Sequence, residues 1–211
     1  RVMTHTLHRV KTRSGQTDDY VVLIMPARGI NNQNSVEIFK KYLDLMAQFD
    51  PVNMGAIGCG NFATHTLEEI KANLKPEVPM VHGVFDTRDK LIEVMKALKE
   101  ADYGYSVVVS GLVDDVDCCA KAAGINRHSV DISLGIWGNV DKLPETQILE
   151  ITTMCGHAMI SAGLVTKMVE DIKAGRRTAK DAANELSKPC ACGIFNPHKA
   201  ERLLLELAEK L

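Results

Sequence analysis

Between residues 18 and 154, short uninterrupted apolar runs alternate with stretches whose apolar positions recur every three to four residues. The first run, Tyr20-Val21-Val22-Leu23-Ile24-Met25, has the pattern of a strand buried on both faces, and Pro26 ends it. Asn34-Ser35 then opens a helix with Val36, Phe39, Tyr42, Leu43 and Met46 on one face. Residues 52–57 predict a second strand, running into Gly58-Cys59-Gly60. Thr66, with Glu69 three residues on, forms a capping box for a helix to about Leu74. Residues 80–85 predict a third strand ending at Asp86, and residues 88–100 a helix with Leu91, Val94, Met95 and Leu98 inward.

Ser106-Val107-Val108-Val109 reads as a fourth strand, followed by a short helix carrying Val116, Cys119 and Ala123 and stopped by Gly124. Residues 130–136 and 147–153 predict a fifth and a sixth strand, the last delivering the chain to Cys155. Strand–helix alternation with continuous apolar strands argues for an α/β fold, a mostly parallel sheet of five to six strands with helices on both faces. Beyond it the pattern is helical: residues 158–174 up to Gly175, 179–186 capped by Thr178, and a last helix opened by Asn196-Pro197. The division is a sheet domain over 1–154 and a helical C-terminal region over 155–211. Residues 1–13 predict an edge strand or arm.

Composition narrows the classes. Of 211 residues, 45% are apolar, and 25 basic against 27 acidic side chains leave a net charge of −2. No basic footprint for nucleic acid or an anionic membrane is present. No apolar run approaches the ~18 residues of a membrane span, and the start shows no signal-peptide pattern. Six cysteines include the adjacent Cys118-Cys119 and the closely spaced Cys190-Ala191-Cys192, poor geometry for internal disulfides. Reduced thiols and a cytoplasmic location are the expectation.

The chemistry concentrates in two glycine-containing knots, Met154-Cys155-Gly156-His157 and Pro189-Cys190-Ala191-Cys192-Gly193. Both are predicted to lie at helix starts, where free N–H groups favour a thiolate. Cys155, Cys190, Cys192 and His157 supply three sulfurs and one nitrogen, the ligand count of tetrahedral zinc. Three thiolates could equally hold an iron–sulfur cubane with one iron left to His157 or a substrate. The first knot resembles the M-C-G-H segment of the proline racemase and hydroxyproline epimerase family. In that family the Cys is one of two opposed acid/base thiols working without a cofactor. The likeness covers about four residues, the knots here are 35 residues apart, and the chain is not assigned to that family. What the likeness implies is a metal-free alternative, with Cys155 and Cys190 or Cys192 moving a proton at a substrate carbon.

A second candidate is Gly58-Cys59-Gly60-Asn61-Phe62-Ala63, a G-x-G-x-x-A after an apolar strand, with Asp86 ending the next strand 26 residues beyond Gly60. In a parallel sheet this is the layout of a dinucleotide site, so NAD(P) enters as a candidate cofactor held by Gly58, Gly60 and Asp86. On the same premise Cys59 and Cys155 open onto one sheet edge, which makes Cys59 a further catalytic candidate. The leading expectation is an enzyme acting on a small polar metabolite through a Cys/His-ligated zinc or iron–sulfur centre. The alternatives are a cofactor-free isomerase, a nicotinamide-dependent oxidoreductase, and a non-enzymatic metal-binding or electron-carrying protein. Self-association is left open.

Overall fold

The computed structural model describes residues 18–132 and 137–210. The predicted arm at residues 1–13, and residues 133–136 of the predicted fifth strand, lie outside them. Five strands form one sheet: β1 (Tyr20–Met25), β2 (Asn53–Ala56), β3 (Gly60–Asn61), β4 (Val81–Phe85) and β5 (Ser106–Ser110), in the order β3-β2-β4-β1-β5. Every pairing among the described residues is antiparallel. The expectation of a mostly parallel sheet is therefore corrected.

The reason lies in the crossovers. β1 and β2 do run in the same direction, linked by helix α1 (Ser35–Ala47), but β4 is inserted between them. In the same way β4 and β5, linked by α3 (Arg88–Ala101), flank β1. Each crossover skips a strand, so hydrogen-bonded neighbours are always antiparallel. With α1 and α3 on one face, this is the split βαβ, or ferredoxin-like, arrangement. The β2–β3 hairpin and α2 (Leu67–Ala72) are inserted ahead of β4.

Two further strand expectations are corrected. Residues 147–153 are helical, within α5 (Thr146–Thr153), and Val130–Ile132 is not a strand. The helix readings fare better. Thr66 makes the capping box of α2, and Thr87 caps α3. The helix carrying Cys119 is α4 (Val113–Ala122). Thr178 caps α7 (Ala179–Ser187) through the Asp181 amide. The Asn196 side chain accepts from the Lys199 amide at 3.0 Å to open α8 (Pro197–Lys210). The remaining helix, α6 (Ala162–Lys173), starts later than its apolar pattern suggests, at its Ser161 cap.

The sheet divides the interior in two, following the two-residue alternation of its strands. Tyr20, Val22 and Ile24 face a core made with α1–α4. Val21, Leu23 and Val84 face a second core made with α5–α8. Most of the second face is apolar, but one corner is not. There Asn53 and Gly55 on β2, Asn61 on β3 and His82 on β4 replace apolar side chains, and Gly55 pairs with both Asn61 and His82.

Candidate metal centre

The polar corner receives the Cys190–Gly193 loop, which joins α7 to α8. Asn53 Nδ2 donates to the Phe195 carbonyl at 3.1 Å, and Asn61 Nδ2 to the Cys190 carbonyl at 3.5 Å. Gly193, at φ +75°, sits directly on the sheet. A Cβ at that position would stand 2.4 Å from Asn61 Cβ and 3.1 Å from His82 Nε2. Only glycine meets both the left-handed backbone and that approach. His82 is fully buried beneath the loop, a neighbour of the site that the apolar strand pattern conceals. Its sequence signal is a lone imidazole interrupting an otherwise apolar run.

The first knot reaches the same place from α5. Cys155 follows the C-cap residue Met154, and its amide still bonds back to the Thr152 carbonyl at 3.3 Å. Cys155 therefore stands at a helix end, opposite to the helix start expected for it. Residues 155–160 then reverse the chain through Ala158 at φ 54° before Ser161 caps α6. The reversal turns the amides of His157 and Met159 onto the Cys155 sulfur.

The donors meet in file. Cys155 is hydrogen-bonded to Cys190, Cys190 Sγ lies 3.6 Å from Cys192 Sγ, and Cys192 Sγ lies 3.7 Å from His157 Nδ1. The three thiols are buried and His157 is exposed, so the file runs from the interior to the surface. Among the described residues, no three His, Cys, Asp or Glu donors already converge on a single ion position.

Charge is graded along this file. The Cys155 thiol is held far above its ordinary pKa by donating to Cys190 and by burial. Cys190 accepts from Cys155, which lowers its pKa. It also donates to Cys192 and is buried, and these outweigh, pushing it up to about 11. Cys192 receives the Cys190 hydrogen bond and the Ile194 amide, which bring it below the ordinary thiol value despite burial. Negative charge therefore settles first on Cys192, beside the exposed imidazole. The Phe195 amide similarly serves Cys190, so each sulfur has at least one backbone donor.

The other candidates lie elsewhere. Cys59 is buried in the opposite core, with the sheet between it and the three thiols, and desolvation raises its pKa. Gly58 and Cys59 lie in the turn of the β2–β3 hairpin and Gly60 opens β3, so the segment is not a strand-to-helix turn. Space beside Gly60 is filled by the His65 ring. Because β4 is antiparallel to β2, that turn lies beside Val81 while Asp86 lies at the far end of β4. The carboxylate of Asp86 is engaged by His198 Nδ1 at 2.8 Å and Lys90 Nζ at 3.1 Å. The glycines and the acid expected to share one dinucleotide thus sit at opposite ends of the sheet. Asp115 and Asp117 on α4 pair with Arg88, and with Lys121 and Arg127, respectively.

No family model matches the chain, and neither the curated proteins nor the solved structures contain a significant relative of it. No helix among the described residues is long and apolar enough to cross a membrane.

Proposed function

We propose that Cys155, Cys190, Cys192 and His157 hold one metal ion, and that the protein is an enzyme acting on a small polar metabolite at that centre, in the reducing cytoplasm. The carrying observation is the spacing of the file. Tetrahedral zinc, with Zn–S about 2.3 Å and Zn–N about 2.0–2.1 Å, sets two thiolates about 3.8 Å apart and a thiolate and an imidazole nitrogen about 3.6 Å apart. The 3.6 and 3.7 Å contacts match the lengths of two of the six edges of such a tetrahedron. A cubane spreads its thiolates over separate irons, so sulfurs already in contact favour a single ion. Backbone amides aimed at the sulfurs favour the thiolate forms that ligation requires.

A bound ion would supply Lewis-acid polarisation of a substrate oxygen. The chain's own contributions follow from burial. The three cysteines exclude water from the inner side, and the Asn53 and Asn61 hydrogen bonds fix the loop that carries two of them. His157, on the exposed side, is the ligand that can yield its place to a substrate and hold a proton beside it. The metal-free isomerase reading needs two sulfurs on opposite sides of a substrate carbon. Cys155 is instead hydrogen-bonded directly to Cys190, which counts against a substrate carbon between those two sulfurs. The hairpin geometry of Gly58-Cys59-Gly60 likewise offers no helix terminus for a pyrophosphate.

Protein purified without oxygen should carry about one zinc or iron per chain and lose melting temperature on chelation. Cys192→Ser and Cys155→Ser should abolish metal retention, whereas His157→Ala should keep the ion with weaker affinity. In the cobalt-substituted protein, added acetate or phosphate should shift the visible bands as it takes the place of His157. Absence of metal after loading with either zinc or iron sinks the centre. Bands that ignore every added ligand sink the enzymatic part and leave a structural site.

A further inference from the structure

Cys190 stands in the middle of the sulfur file, hydrogen-bonded by Cys155 on one side and 3.6 Å from the Cys192 sulfur on the other. All three are free thiols. A disulfide bond is about 2.05 Å long, so the Cys190 and Cys192 sulfurs need to close by only about 1.5 Å. Thiol–disulfide exchange requires a central sulfur with a thiol in contact on each side: one attacks, the middle one is attacked, and the third leaves. The contacts that favour a single metal ion therefore also favour its removal by oxidation.

We propose that the three cysteines form a redox switch, in which hydrogen peroxide drives a disulfide along the file to Cys155–Cys190 and expels the bound ion. The switch rests on the metal centre proposed above for its output, but not for its thiol chemistry. Cys192 is the point of entry, because it ends the file beside the exposed His157, and hydrogen peroxide is hardly larger than water. Its thiol becomes a sulfenic acid as the peroxide O–O bond breaks and one water leaves; the sulfur loses two electrons and the peroxide gains them. The Cys190 thiol then attacks that sulfur. The S–S bond forms, the S–O bond breaks, and the oxygen departs as a second water. Exchange follows: Cys155 attacks Cys190, the Cys190–Cys192 bond breaks, and the proton given up by Cys155 ends on Cys192. Two thiols and one peroxide thus become one disulfide and two waters.

Two features send the disulfide inward. A bond between Cys190 and Cys192 closes a ring across a single alanine, a strained link that is easily reopened. Cys155–Cys190 joins the end of α5 to the loop before α8 across 35 residues, and a longer loop gains more from cross-linking. Cys59 and Cys119 are out of reach in the core on the other face of the sheet, and Cys118 is exposed on α4. The end state ties up two of the four ligands and leaves only Cys192 and His157 for an ion.

Peptide mapping of the full chain carrying Cys118→Ser, reduced, freed of metal and then treated with hydrogen peroxide, tests the assignment. The expected product links Cys155 to Cys190 and leaves Cys192 open to alkylation. Adding Cys155→Ser should halt the sequence at Cys190–Cys192, and Cys192→Ser should slow formation of Cys155–Cys190 by at least about tenfold. In zinc-loaded protein the ion should leave in step with the bond, and a phosphine reductant should restore binding. A final Cys190–Cys192 bond, no disulfide among the three, or an unchanged rate in Cys192→Ser overturns the proposal. Zinc retained beside a formed Cys155–Cys190 bond overturns it as well. A reduced protein that binds no metal overturns the centre and the expulsion of its ion, while the mapped bond still decides the cysteine chemistry.

Discussion

Gly193 is the residue on which the site turns. Its φ of +75° and the 2.4 Å approach to Asn61 leave no place for a side chain. Gly193→Ala should therefore destabilise the protein by at least about 1–3 kcal/mol in urea unfolding, and should lower metal retention with it. An alanine variant of full stability and full metal content would contradict this seat on the sheet. The glycine itself was legible in the knot. Its partners were not, because Asn53, Asn61 and His82 come from three different strands, and only the strand register gathers them. Asp86 carries a separate expectation. Burial raises its carboxyl pKa, but hydrogen bonds from His198 and Lys90 outweigh that and hold it below the ordinary value. Its contribution to stability is thus complete above the ordinary carboxylate pKa near 4, and is lost as pH falls through the lower folded value. Asp86→Asn should flatten the acid limb of a melting-temperature profile. An unchanged acid limb would show that the pairing carries no stability.

At the scale of elements, the two knots meet only because α5 is held against α8. Lys199 Nζ, almost wholly buried, pairs with the buried Glu150 at 2.9 Å. Arg202 bridges Asp18 at 2.6 Å and Glu206 at 2.8 Å on the same helix. Lys199→Met strands the Glu150 carboxylate inside and should cost about 3–5 kcal/mol. Adding Glu150→Leu should recover most of that loss, because replacing both partners removes the uncompensated charge. A cost below about 1 kcal/mol for the single change would deny the pair its clamping role. The same pair helps residues 147–153 form a helix against their local propensity. Ile148, Ile151, Thr152 and Thr153 favour a strand by propensity, and seven residues are too few for the period to arbitrate. Burial of Gln147, Glu150 and Ile151 has the three-and-four spacing of a helix, but it includes two polar residues whose burial depends on partners in α8.

For the whole molecule, most helices and the strands β1, β2, β4 and β5 could be read along the chain, because caps and apolar periods are local, whereas the two-residue β3 lay inside what reads as a glycine turn. Strand order could not be read. A crossover that skips one strand and a crossover to an adjacent strand leave the same alternation of β and α, yet the first gives an antiparallel sheet and the second a parallel one. Every inference that leaned on a shared carboxyl edge failed with that assumption. Cys59 fell into the opposite core, and Asp86 was separated from the glycine turn. The Cys155/Cys190/Cys192/His157 grouping never depended on the sheet direction, and these are the side chains that the fold brings together. X-ray absorption at the metal edge of the anaerobically purified protein addresses the centre most directly. The account predicts one ion with three sulfurs at about 2.3 Å and one nitrogen at about 2.0–2.1 Å, with a sulfur shell lost in Cys192→Ser. A shell of oxygens and nitrogens alone, or a short iron–iron distance, would contradict it.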